Sequence, residues 1–234
     1  MKSRLLLSAF IVAISLTTGF SYGQTVNKET RNLSGFTKVN FGISGDLYIN
    51  IGTEFKVVLE GDKSQLEEIE TEVSGSKLVI KQDNWHTHGH DKVTVYITMP
   101  ELAGLGVSGS GKAEIKDAVK TEELDFSVSG SGRIVTADLA LGKLDVGISG
   151  SGDVIIGGSG EAASGDVGIS GSGNFAGESL KIANAEFHIS GSGSCKCNVT
   201  DNLKANVSGS GNITYIGSPK VDARVSGSGK VRSK

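Results

Sequence analysis

Proline is nearly absent from this chain, with 2 residues against 34 glycines, and aromatics are held to 6%. Disordered and loop-rich chains are enriched in both glycine and proline, so glycine without proline points to regular turns. Few aromatics imply a thin, aliphatic core, which fits a narrow coil of short strands better than a globular sandwich. A strong charge of one sign is also missing. Setting aside Lys2 and Arg4, which belong to a removable leader, 21 basic residues face 26 acidic ones, a net charge of −5. Such a mildly acidic protein is a poor partner for nucleic acid or for an anionic membrane.

Long hydrophobic runs are confined to residues 5–20. With Lys2 and Arg4 before it and Ser21-Tyr22-Gly23 after it, this run has the layout of a secretory signal peptide cleaved before Gln24. Sixteen mostly apolar residues fall short of the ~20 that a spanning helix needs, so no membrane span is expected after cleavage. No cysteine lies near the junction to accept a lipid. The expected organisation is a leader over 1–23 and one domain over 24–234, exported to the periplasm, the outer-membrane surface or the medium.

What the chain has in abundance is a repeat. Ser-Gly-Ser-Gly begins at Ser108, Ser129, Ser149, Ser170, Ser190, Ser208 and Ser226, at spacings of 21, 20, 21, 20, 18 and 18. Ser44-Gly45-Asp46 and Ser74-Gly75-Ser76 read as partial copies upstream. Immediately before the first serine stands Val or Ile in every copy, from Val107 and Val128 to Val225. Two residues earlier come Leu105, Phe126, Val146, Val167, Phe187, Ala205 and Ala223. Beyond the motif, Ala113, Ile134, Val154, Phe175, Cys195, Ile213 and Val231 continue the alternation. Period two on both sides of a glycine bend is a strand signature, and the β-branched share agrees with it.

One such unit cannot bury its apolar face alone, whereas stacked units share a continuous core. The expected fold is therefore all-β: a single-stranded, right-handed parallel β-helix, or solenoid. It would hold about nine rungs at ~4.8 Å per strand, a rod roughly 40 Å long. Glycine at the bend serves either a positive φ or close approach to the next rung, and the pattern leaves both open. An antiparallel sandwich would need Asn-Gly or Asp-Gly hairpins at the repeat period, and neither occurs there. Residues 102–234 form the regular rungs. Residues 33–101 read as the first two rungs with longer insertions: strands over 42–51, 54–60, 77–81 and 93–99, a helical turn within 64–70 and a loop over 83–91.

The runs Gly42-Ile43-Ser44-Gly45-Asp46-Leu47-Tyr48-Ile49 and Val93-Thr94-Val95-Tyr96-Ile97-Thr98-Met99-Pro100-Glu101-Leu102, together with the Ser-Gly-Ser-Gly rungs, carry a family resemblance. The chain resembles the putative auto-transporter adhesin head (GIN) domain family over nearly all of its mature length. The resemblance implies a right-handed β-helix in an exported envelope protein and brings no catalytic residues. After Lys230-Val231 there is no series of ~10-residue amphipathic strands for a translocator barrel, so autotransport by this chain is not expected.

Several motifs have ordinary explanations. Gly106 to Lys112 imitates a phosphate-binding loop, but Ala113 replaces the required hydroxyl, and Asp153 stands at the lysine position of another copy. Gly104, Gly106 and Gly109 spell a dinucleotide fingerprint with no helix expected after it. His86, His88 and His90 alternate beside Asp83 and Asp91, a spacing open to zinc or nickel; no second cluster supplies a fourth ligand, so a solvated loop is the simpler reading. His188 falls in an outward column and is expected to be solvated. Cys195 and Cys197 fall in inward columns, and two residues apart on a strand they sit ~6.5–7 Å apart, at the limit for a disulfide. Free buried thiols are expected.

Four residues before the motif stand Asp125, Asp145, Asp166, Glu186, Lys204 and Asp222. Stacked carboxylates at ~4.8 Å repel unless something intervenes. Asp125, Asp145, Asp166 and Glu186 are thus the candidate site: a stripe for calcium or for cation-mediated glycan binding, hard oxygen ligands suiting that ion. The competing reading is a solvated edge relieved by lysine, arginine and salt, with no cofactor at all. The motif serines form further ladders, read as rung-to-rung hydrogen bonds or as a hydroxyl array for sugar.

Three functional classes remain. The best supported is a non-catalytic adhesion or polysaccharide-binding module whose partner is carbohydrate or another cell-surface component. A β-helical polysaccharide-degrading enzyme would need acids clustered in a cleft, and Arg133 with Asp153 is the nearest constellation. A structural envelope protein is the third, with a homo-oligomer through its rod ends open to it, where Lys230, Arg232 and Lys234 guard an open edge.

Overall fold

The computed structural model describes residues 27–82 and 92–234; the expected leader and the loop bearing His86, His88 and His90 lie outside these. The first part runs β1 (Asn27–Arg31), β2 (Lys38–Gly42), β3 (Gly45–Ile51), β4 (Lys56–Gly61), the short helix α1 (Lys63–Glu67), β5 (Ile69–Ser74), β6 (Lys77–Gln82) and β7 (Val93–Met99). The regular part runs β8 (Gly104–Gly109), β9 (Lys112–Ile115), β10 (Val119–Gly130), β11 (Arg133–Thr136), β12 (Leu139–Gly150), β13 (Asp153–Ile156), β14 (Gly160–Gly171), β15 (Asn174–Gly191), β16 (Ser194–Gly209), β17 (Asn212–Ile216), β18 (Lys220–Gly227) and β19 (Lys230–Ser233).

From β8 onward the chain winds as a parallel solenoid in motif register. Ser129 lies opposite Ser149 and Gly130 opposite Gly150, and the same alignment passes through β14, β15 and β16 to β18. The segments after the bend form a second parallel ladder from β9 to β19. Inward columns close the core: Phe126, Val146, Val167 and Phe187 in one, Ile134, Val154, Phe175 and Cys195 in another, all buried.

The bend itself continues the sheet. Ser131 donates its N–H to the Gly109 carbonyl at 2.9 Å, Ser151 to Gly130 at 2.8 Å and Ser172 to Gly150 at 2.8 Å. Both reasons for glycine hold: the first glycine of the motif answers to both, a Cβ on Gly130 also lying 2.7 Å from the Gly109 carbonyl oxygen, and the second answers to close approach alone. Gly130 has φ +107°, a left-handed conformation that side chains disfavour. Gly152 has no positive φ, but a Cβ there would sit 2.5 Å from the Gly132 carbonyl oxygen one rung away.

The first hundred residues depart from the expected two rungs wound in order. β2 is sandwiched between β8 and β6, and β3 between β9 and β7, all parallel. Strands β6 and β7 therefore form the outermost parallel layer although they follow β2 and β3 in the chain. Beyond that layer the pairing turns antiparallel: β4 on β7, β1 on β4, and β5 on β6. The sequential winding is accordingly about six turns, not nine. The remaining layers are contributed out of chain order. Ser74-Gly75-Ser76, read as a partial rung, is the tight turn between antiparallel β5 and β6, with Gly75 at φ +61°. Ser44-Gly45 is a true bend, its Ser44 Oγ 2.9 Å from Ser110 Oγ of the adjoining rung. The helical turn forms where expected, capped by Asp62 and burying Leu66.

Candidate functional site

Three outward columns share the face made by β8, β10, β12, β14, β15, β16 and β18. The first holds the acidic stripe, and register places Asp125, Asp145, Asp166 and Glu186 on successive rungs. Lysines meet three of them: Lys38 reaches Asp125 at 3.8 Å, Lys143 reaches Asp145 at 2.8 Å, and Lys204 reaches Glu186 at 2.7 Å. The Lys204 hydrogen bond, helped by His188 at 2.8 Å, holds the Glu186 carboxyl below the usual carboxylate range. Asp145 in turn raises Lys143. The stripe is a mixed-charge rail with one carboxylate per rung. Among the described residues no three His, Cys, Asp or Glu side chains converge as a metal would require.

The second column, two residers further along, contains Ser127, Gly147, Gly168, His188 and Asn206, in register. The third is the first serine of each motif. Between the stripe and these serines runs an open trough of about 890 Å³; its floor column runs from Ser127 to Arg224 and is bare only at Gly147 and Gly168, and the motif serines from Ser129 to Ser226 wall it. The two floor glycines answer to neither requirement of the bend. Neither has a positive φ, a Cβ on Gly147 would meet nothing within 4 Å, and one on Gly168 would only touch the Val146 carbonyl at 4.0 Å. Glycine weakens a strand by roughly 0.5–1 kcal/mol relative to alanine, so two in a row on an open face are a cost with no local structural return.

The hydroxyls above that floor are free. Among the described residues, Ser129, Ser149, Ser170 and Ser190 make no side-chain hydrogen bond to protein, contrary to the expected rung-to-rung ladder. Strands ~4.8 Å apart bring equivalent hydroxyls within reach only where their rotamers turn toward each other, as those of Ser44 and Ser110 do at 2.9 Å.

Arg133 and Asp153 lie across adjacent rungs, with the guanidinium Nε at 3.0 Å and the terminal nitrogen at 2.6 Å from one carboxylate oxygen. Asn174 donates to the other oxygen at 2.9 Å. The carboxylate is thus engaged on both sides in a surface ladder and does not stand in a cleft. Lys112 opens strand β9 and ion-pairs with Glu114 at 3.3 Å, so no helix follows the loop that imitates a phosphate site. Cys195 and Cys197 are buried and unbridged, and burial pushes the Cys195 thiol well up.

One surface feature escaped the sequence reading. Tyr48 and Tyr96, from β3 and β7, stack with ring centroids 5.6 Å apart and planes 25° apart, and Lys116 Nζ lies 4.6 Å above the Tyr48 ring. The matching runs Leu47-Tyr48-Ile49 and Val95-Tyr96-Ile97 held the signal, had the swapped layer order been known.

Residues 35–219 match the family model described as "Putative auto-transporter adhesin, head GIN domain". The chain belongs to this family. No curated protein is significantly similar to it. Among solved structures, a putative adhesin from Bacteroides fragilis NCTC 9343 is similar at 25% identity and TM-score 0.84, covering 91% of this chain and 98% of that one. A putative adhesin from Parabacteroides merdae ATCC 43184 follows at 23% identity and TM-score 0.72, covering 89% and 96%. A putative lipid binding protein from Parabacteroides distasonis ATCC 8503 shares 21% identity at TM-score 0.69, covering 89% and 96%. Among the described residues no helix is long and apolar enough to cross a membrane.

Proposed function

We propose that this member of the adhesin-head family is an exported, non-catalytic module that binds an extended polysaccharide of the cell surface along the trough. The observation that carries the reading is the bare floor at Gly147 and Gly168 beneath unengaged serine hydroxyls. A flat sugar chain can lie on exposed backbone, take hydrogen bonds from hydroxyls repeating every ~4.8 Å, and meet the Asp–Lys rail with its far edge. The rail acts through hydrogen bonding and charge with no need for a bound cation, since lysine already offsets three of its four carboxylates. Membership in the family and likeness to adhesins support surface binding, and the leader-like residues 1–23 support export.

The test is an array of bacterial and host polysaccharides probed with the wild-type protein and with the Gly147→Thr/Gly168→Thr variant. Expected is retention of at least one polysaccharide without turnover, lost when the floor is filled. Polysaccharide cleavage would overturn the non-catalytic reading. Binding to phospholipid vesicles with none to any glycan would overturn the choice of ligand.

A further inference from the structure

The two ends of the solenoid differ. At one end β4, β1 and β5 lie antiparallel across the outermost parallel layer and α1 adds Leu66 to the core. At the other, β18 pairs with β16 along one edge, and among the described residues no strand covers its other edge. Its inward residues Val221, Ala223 and Val225 continue the buried column positions of Leu203, Ala205 and Val207, yet Val221 is 42% and Val225 43% exposed. A row of unpaired backbone groups beside an apolar core end is a template for strand addition.

The sequence of this edge is complementary to itself. Val221-Asp222-Ala223-Arg224-Val225 reads the same in both directions, apart from a reversal of charge. Laid antiparallel on a second copy and centred on Ala223, it brings Val221 against Val225 and Asp222 against Arg224, twice over. Neither Asp222 nor Arg224 has an ion-pair partner among the described residues. A two-fold interface requires that a patch complement itself in this way. The neighbouring strand β19 does the opposite: Lys230 and Arg232 would face like charge on a second β19. Among the described residues the edge strands at the capped end are β1, which is all polar, and β5, whose Glu70 and Glu72 would face like charge on a second copy, so a closed dimer forms in preference to a filament.

We infer that the protein forms a two-fold dimer by antiparallel pairing of β18 with β18 of a second copy, joining two solenoids end to end through their exposed core ends. Because the axis stands normal to the sheet, the troughs of both copies open to the same side. The seam strand also lines the last stretch of the trough with Arg224, Val225 and Ser226, so self-association is measured with no glycan present.

Sedimentation equilibrium of the purified protein tests it. The wild type associates reversibly to a dimer. Asp222→Arg and Arg224→Asp each set like charges against one another and weaken self-association at least ~tenfold. An equimolar mixture of these two variants recovers wild-type association, because every opposed pair across the seam is again of opposite sign. Recovery in the mixture also excludes misfolding as the cause of the single-variant losses. A wild type that stays monomeric, single variants that dimerise as tightly as the wild type, or a mixture that fails to recover would each overturn the inference.

Discussion

Gly147 and Gly150 stand three residues apart on β12, one on the floor of the trough and one at the bend, and the molecule uses them differently. At the bend, Gly150 has φ +107° and a Cβ would lie 2.6 Å from the Gly130 carbonyl oxygen. On the floor, Gly147 has ordinary strand geometry and open space where a side chain would go. The bend glycines are conditions for winding at all. The floor glycines weaken the strand and leave a surface bare, a cost that stability alone does not explain and that the proposed docking would.

The comparison can be broken most forcefully at the bend. Gly150→Ala should lose about 2–4 kcal/mol by denaturant titration, from left-handed strain plus collision with the rung beside it. Gly152→Ala has the collision without the strain, and about 1–3 kcal/mol is expected. If the two losses were reversed in order, close approach rather than backbone conformation would dominate the bend. Ser149→Ala, on the trough wall between the two regions, should stay within about 0.5 kcal/mol of wild type, since its hydroxyl engages no protein group.

The smallest effect concerns pH. Glu186 has a folded-state pKa depressed by Lys204 and His188, so its contribution to stability is present above the ordinary carboxylate value of ~4.3 and is lost as pH falls through the folded value. Glu186→Gln should therefore flatten the acid limb of a melting-temperature profile and leave the neutral region nearly unchanged. An unchanged acid limb would show that solvent screens the rail completely. Calcium, for its part, should leave the wild-type melting temperature where it is. A rise abolished by Asp145→Asn with Asp166→Asn would restore the cation reading of the stripe.

How much the sequence revealed follows from where the repeat is. Between Ser108 and Ser226 the motif fixes register, and register fixes which columns are buried, so Phe126, Cys195 and the acidic stripe fell where alternation put them. The N-terminal third has no motif to set order. Strands β2 and β3 alternate like β6 and β7, and only packing decides that β2 and β3 lie next to β8 and β9. The antiparallel caps were illegible for a different reason: Asn27 to Arg31 is an all-polar edge strand, held by partners instead of by a hydrophobic face. Of the candidate site, the stripe was legible as a column, but its lysine partners include Lys38 from a layer that is remote in sequence. The trough was visible only as two glycines in an outward column, and their meaning rests on the empty space above them.

The most direct measurement is the thermal melting of the Gly147→Thr/Gly168→Thr variant beside Gly150→Ala. Filling the floor should raise stability, by roughly 0.5–1 kcal/mol per site, while the bend variant melts far lower. If the floor variant instead lost as much as the bend variant, the floor glycines would be structural, and the trough would be a by-product of winding with no claim to be a binding surface.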